Sequence, residues 1–161
     1  MPRRFVIAPL PAAHIDQAFP VVQPLRPGLT PAQWRALAAP FADAAEARGI
    51  IACRMGSGHI RGLFCYALDE AGVLRVGPFA VAGLFDAPAT ADGLIEAAGQ
   101  VAQRLGAGRV VVERSALAVT AVPHCDLAEL FAHRGYRLEG DALVSEGASS
   151  APVDSPVVAM A

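Results

Sequence analysis

The stretch VLRVGPFAVAGLFDAPATADGLIEAAGQVAQRLGAGRVVV, residues 73–112, decides the fold. Its first ten residues predict a strand over 73–82. Pro78 inside that strand cannot donate to a ladder, so an edge, a bulge or a splayed pair is expected there. From about Ala91 to Leu105 the period becomes helical: Leu94, Ala98, Val101, Ala102 and Leu105 fall on one face, with Thr90 as the expected N-cap. Gly106, Ala107 and Gly108 end the helix. Val110, Val111, Val112 and Glu113 then form a continuous run of the kind buried on both faces of an α/β sheet. A strand, a helix and a second strand in this order predict that 73–82 and 109–113 lie parallel, joined by a right-handed crossover.

Working outward, residues 4–8 form a short apolar strand closed by Pro9. Ile15, Phe19 and Val22 have near-helical spacing that Pro20 disturbs, which predicts a short or broken helix. Thr30 followed by Pro31 marks a helix start. Trp34, Leu37, Ala38, Phe41 and Ala45 make its apolar face, and Gly49 is the expected stop. Residues 50–55 and 59–68, separated by Gly56-Ser57-Gly58, read as an antiparallel hairpin. Asp69 to Gly72 is the turn that leads into 73–82. Near the other end, Asp126 and Glu129 fit a capping box, Leu127, Leu130 and Phe131 face inward, Gly135 stops the helix, and 136–144 is extended. Residues 147–156 read as a flexible loop. The apolar end 157–161 is either part of a disordered tail or a terminal strand against 136–144, and exposed valines favour the strand. The reading is a single domain, 1–161, of α/β class, with a central mixed, mostly antiparallel sheet flanked by helices.

Composition narrows the function. The chain has 161 residues, enough for one hydrophobic core. Mean hydropathy is +0.41, but Ala, Gly and Pro inflate it, and no apolar run approaches the roughly 20 residues of a membrane span. The basic start turns apolar only as far as Pro9 and Pro11, too short for a signal-peptide core. A net charge of −2 argues against nucleic acid. Three cysteines without C-x-x-C spacing suggest neither disulfides nor zinc, and a reducing cytoplasm is expected. No two histidines stand at the i, i+4 spacing of a helical metal pair.

LFAHRGY at 130–136 looks like a helix end before a Gly-aromatic pair. Together with the 73–112 block it makes the chain resemble the GNAT superfamily of acyl-CoA N-acyltransferases over nearly its whole length. The resemblance implies an acetyl-CoA-dependent N-acetyltransferase that passes the acetyl group directly to an amine, on a small molecule or a peptide. Acetyl-CoA would be the cosubstrate, held between 73–82 and 109–113 with its pantetheine docked on 73–82. Its pyrophosphate would meet the 83–91 loop, where amides and a helix dipole suit an anion. Counting on from Val81 puts Asp86 at the family's Arg or Gln position and Ala87, Ala89 and Ala91 on or near its small-residue positions. Val81, Asp86, Ala87, Ala89, Thr90 and Ala91 are therefore the candidate cofactor-binding residues. Asp86 is expected to repel the pyrophosphate by about 1 kcal/mol where solvent is present.

The catalytic positions depart from the pattern. Phe131 stands where many relatives carry a proton-donating Tyr, and Cys125 where an Asn is common. Residues 74–82 hold no carboxylate, so Glu113, expected to face the splay at Pro78, is the candidate general base. An ion pair with Arg109 or Arg114 is the alternative for Glu113. His124-Cys125-Asp126 could activate a cysteine nucleophile, although capping explains Asp126 and burial explains Cys125. A second function stays open: a GNAT-like domain without catalysis, serving as a binding or dimerising module, possible as a homodimer.

Overall fold

Eight strands form one sheet in the computed structural model, which describes residues 5–42, 46–82, 87–120 and 126–146. They are β1 (Phe5–Pro9), β2 (Arg48–Met55), β3 (Ile60–Leu68), β4 (Val73–Ala82), β5 (Arg109–Glu113), β6 (Leu117–Thr120), β7 (Arg137–Glu139) and β8 (Ala142–Glu146). The order across the sheet is β1-β2-β3-β4-β5-β8-β7, and β6 also pairs with β4. The front four strands are antiparallel. β5 runs parallel to β4, from Val73 opposite Arg109 to Val76 opposite Val112, as the strand-helix-strand pattern requires. β8 lies antiparallel to β5 and β7 antiparallel to β8.

Four helices cover the two faces: α1 (Phe19–Val22), α2 (Pro31–Ala42), α3 (Ala87–Leu105) and α4 (Leu127–His133). Pro20 limits α1 to one turn between two 3-10 segments, Ala12–Ala18 and Gln23–Leu25. Thr30 and Gln33 cap α2 reciprocally: each backbone N–H donates to the other's side-chain oxygen, at 2.9 and 3.1 Å. Asp126 caps α4 by accepting the Glu129 N–H at 3.2 Å. Asp69 holds the β3–β4 turn by accepting the Ala71 and Val73 amides, at 2.9 and 3.0 Å.

The core lies in two layers. On one face α3 and α4 pack Leu94, Ala98, Val101, Leu127 and Phe131 against Phe64, Val76, Phe79 and Val110. On the other, Val22, Trp34 and Ala38 cover Ile50, Leu63, Cys65 and Ala80. Trp34 is fully buried, and its indole N–H donates to the Ile15 carbonyl at 2.8 Å, so this residue holds α2 against the preceding segment.

Several expectations need correction. Gly49 lies inside β2 and does not stop α2, whose described part ends at Ala42; Ala45 is outside the described residues. Residues 136–144 are not one extended segment, because Gly140 and Asp141 carry a turn between β7 and β8. Leu105, Val111 and Leu130 are only partly buried, since helix ends and an uncovered sheet face leave them contact on one side. β6 falls in a stretch where no element was expected. The loop 147–156 and terminal strand 157–161 lie outside the described residues.

Candidate active site at the fork between β4 and β5

The site begins with a local irregularity. Opposite β3, Phe79 pairs with Phe64 and Val76 with Tyr66, which leaves Gly77 and Pro78 facing the single residue Cys65. That is a β-bulge, and Pro78, lacking an N–H, sits where a ladder bond is not needed. On the opposite side β5 accompanies β4 only as far as Val76. Beyond it β5 ends at Glu113, a 3-10 turn (Arg114–Ala116) crosses over, and β6 takes up the edge of β4 from Phe79. Gly77 permits this crossing. Its φ is +151°, and a Cβ built on it would stand 2.8 Å from the Ala116 Cβ.

A cavity of about 420 Å³ opens at this fork. Gly77, Pro78, Val76, Val111 and Ala116 give it apolar walls, Phe41 closes one side, and Glu113 and Arg75 stand on its lining. The fork therefore brings Glu113 and Pro78 together, as expected. Arg75 is engaged by Asp69 at 3.1 Å. Arg109 is engaged by Glu139 at 2.6 Å, and no ion pair among the described residues includes Glu113. Glu113 is exposed at the cavity.

The expected cofactor residues separate into three groups. Asp86 lies outside the described residues, as does Cys125. Val81, Ala87, Thr90 and Ala91 are buried, and only Ala89 is exposed. Thr90 is not an N-cap: α3 begins at Ala87, three residues earlier, and Thr90 turns inward from its first turn. Its methyl approaches β3 so closely that a Cβ on Gly62 would stand 3.1 Å from Thr90 Cγ2 and 2.7 Å from Leu94 Cδ1. The Thr90 hydroxyl has no nitrogen or oxygen partner among the described residues, and the neighbour it can bond is the Cys53 thiol. Beside it burial pushes the Cys53 thiol up to about 11, against a smaller lowering by Thr90. Burial also pushes the Cys65 thiol up, so neither thiol is poised as a nucleophile.

Phe131 is fully buried in a chain of aromatic rings. It meets Phe79 edge-on at 5.1 Å and Tyr136 at 4.8 Å. The place that the resemblance gives to a proton donor is thus a packed apolar contact under the first β6-paired residue of β4. Tyr136 does not replace it as an acid, for burial pushes its phenol up to about 12. Next to this cluster Arg134 clamps α4 onto α3, its guanidinium donating to both carboxylate oxygens of Asp92 at 2.8 and 2.7 Å.

Acetyl-CoA does not fit this arrangement as the resemblance would place it. Pantetheine would lie along the β4 edge on the β5 side, and from Phe79 to Ala82 that edge carries β6. A second cavity, about 560 Å³, opens between α1 and the β2–β3 turn and includes Gln17, His59, Arg61 and Ala82. Among the described residues no group of three His, Cys, Asp or Glu side chains could hold a metal ion, and no helix is long and apolar enough to cross a membrane.

Neither a protein-family model nor a curated relative matches the sequence. Solved structures match the fold. Ard1 from Thermoplasma volcanium is similar with a TM-score of 0.68 at 12% identity, over 89% of this chain and 97% of that one. An aminoglycoside 6'-acetyltransferase type Ii gives 0.66 at 11% identity, over 86% and 94%. A GCN5-related N-acetyltransferase from Kribbella flavida gives 0.65 at 16% identity, over 87% and 95%. The fold of this chain is the GNAT acyl-CoA N-acyltransferase fold.

Proposed function

We propose that this chain is a GNAT-type N-acyltransferase that acts on an amine, with acetyl-CoA as the acyl donor and Glu113 as the general base. The observation that carries this reading is the fork itself: a cavity with apolar walls, a carboxylate outside every described ion pair, and a parallel strand pair that parts beside a bulge. An acceptor amine is protonated at neutral pH and must lose a proton to become a nucleophile. A carboxylate at the cavity can take that proton directly or through one water. The apolar walls suit an amine with an apolar body, small molecule or peptide side chain. The donor-side residues Val81, Asp86, Ala87, Ala89, Thr90 and Ala91 are proposed on the resemblance alone, and the cysteine pattern supports a cytoplasmic setting.

A second reading is favoured by β6 on the β4 edge and by Phe131 in the core: a domain of this fold that binds or dimerises without catalysis. Release of CoA thiol from acetyl-CoA in the presence of a panel of amines tests the first reading. Turnover in wild type that falls about 10²-fold or more in Glu113→Gln, with an unchanged melting temperature, supports it. Absence of turnover with every amine, in a protein that still binds one of them, favours the second.

A further inference from the structure

We infer that β6 is a resident occupant of the acyl-donor slot, so that the chain's own strand and an acyl-CoA compete for one edge of β4. The inference rests on the acyltransferase reading of the fork. A strand offers a row of N–H and C=O groups on each side, and each row serves one ladder at a time. On one side of β4, Gly62, Leu63 and Phe64 of β3 pair with Val81, Ala80 and Phe79. On the other, Phe79 pairs with Leu117, Ala80 with Ala118, Val81 with Val119 and Ala82 with Thr120. Both rows are taken. Pantetheine, whose two amides need a strand-like partner, finds none on this part of β4 while β6 is in place.

The seat of β6 is built into the fork. β5 stops at Glu113, the Arg114 N–H is held by the Asp141 carbonyl at 3.0 Å, and the Arg114–Ala116 turn then carries the chain over the bulge. Gly77 leaves just enough room for Ala116, and Leu117 packs against the α3-side core. The hold is short: β6 has four residues, against the ten of β4. A strand tied by so few rungs and preceded by an exposed turn belongs to the segments that open locally without global unfolding. Displacement of β6 then precedes donor binding, and the apparent affinity falls in proportion to the fraction of molecules in which the edge is free. If β6 is docked about 90% of the time or more, its removal tightens binding at least about tenfold.

Two variants of the full chain test this. Ala118→Pro with Val119→Pro removes the amides of both central β6 residues, whichever of them faces β4, and leaves β4 untouched. Ala82→Cys with Thr120→Cys ties the strands together, since registered residues on neighbouring strands stand within disulfide reach. Hydrogen exchange should find the β6-facing amides of Phe79–Ala82 protected in wild type and exposed in the proline variant. Calorimetric titration with acetyl-CoA should find the proline variant at least tenfold tighter than wild type. The oxidised tethered variant should not bind, and reduction should restore wild-type affinity. Rapid exchange of those amides in wild type overturns the inference. Equal affinity in wild-type, proline and tethered proteins overturns the competition alone. Protection that responds as expected in a protein no form of which binds acetyl-CoA overturns the competition together with the acyltransferase reading.

Discussion

Replacing Thr90 by valine should make the protein more stable, although it removes a polar group from a position first expected to meet a cofactor. Thr90 is 1% exposed, and its hydroxyl finds no nitrogen or oxygen partner among the described residues. The Cys53 thiol that it meets is a weak partner. A hydroxyl taken out of water without compensation costs about 1–3 kcal/mol by mutational measures. Valine has the same branched shape and a similar helix propensity, so the backbone of α3 and the contact with Gly62 are retained. Part of the cost returns as poorer packing of the new methyl, which leaves a net gain of about 1–2 kcal/mol. For a chain of this length that raises Tm by about 2–8 °C. Differential scanning calorimetry of the two proteins under identical conditions reads it. A fall in Tm of more than about 2 °C would mean that the hydroxyl has a partner, and the inward placement of Thr90 would be wrong.

Other perturbations separate the packed core from the site. Phe131→Tyr places a hydroxyl in a fully buried aromatic cluster and should destabilise by about 1–3 kcal/mol without raising any acyl-transfer rate, as urea unfolding and thiol release would report. Gly62→Ala forces a methyl against the Ala80 carbonyl at 3.1 Å, Thr90 Cγ2 and Leu94 Cδ1, and should cost about 1–3 kcal/mol in the same unfolding assay. The hydrogen bonds from Arg134 hold the Asp92 carboxyl below its ordinary value. A lowered folded-state pKa stabilises above the unfolded value of about 3.9 and fades as pH falls through the folded one. Arg134→Ala should therefore cost at most about 1 kcal/mol at pH 7, given the exposure of the pair, and less as pH falls through the lowered folded-state value of Asp92.

Much of the fold could be read from the chain because local signals and tertiary demands agree. Thr30 with Pro31 and Asp126 with Glu129 announce helix starts that the caps then supply. The 73–112 block carries its parallel pair in its order alone. Pro78 announced an irregularity, and the bulge lies there. What escaped was set by pairing at a distance. Val119 and Thr120 are β-branched, yet Leu117 and Ala118 before them carry no strand preference, and nothing local reveals that β4 has an open edge for them. Glu139-Gly140-Asp141 did carry a turn signal inside the segment read as one strand. On the site, Glu113 and Pro78 were legible as partners, whereas the inward turn of Thr90 depended on α3 beginning at Ala87, three residues ahead of the expected cap.

The central claim is that the β4–β5 fork is closed along Phe79–Ala82 by β6. Nuclear Overhauser contacts in the isotope-labelled wild-type protein test it most directly. The account predicts the parallel pattern between β4 and β6, with backbone contacts linking Phe79 to Leu117, Ala80 to Ala118 and Val81 to Val119, alongside those linking Val73–Val76 to Arg109–Val112. A spectrum that keeps the β4–β5 contacts but has none between 79–82 and 117–120 would contradict it.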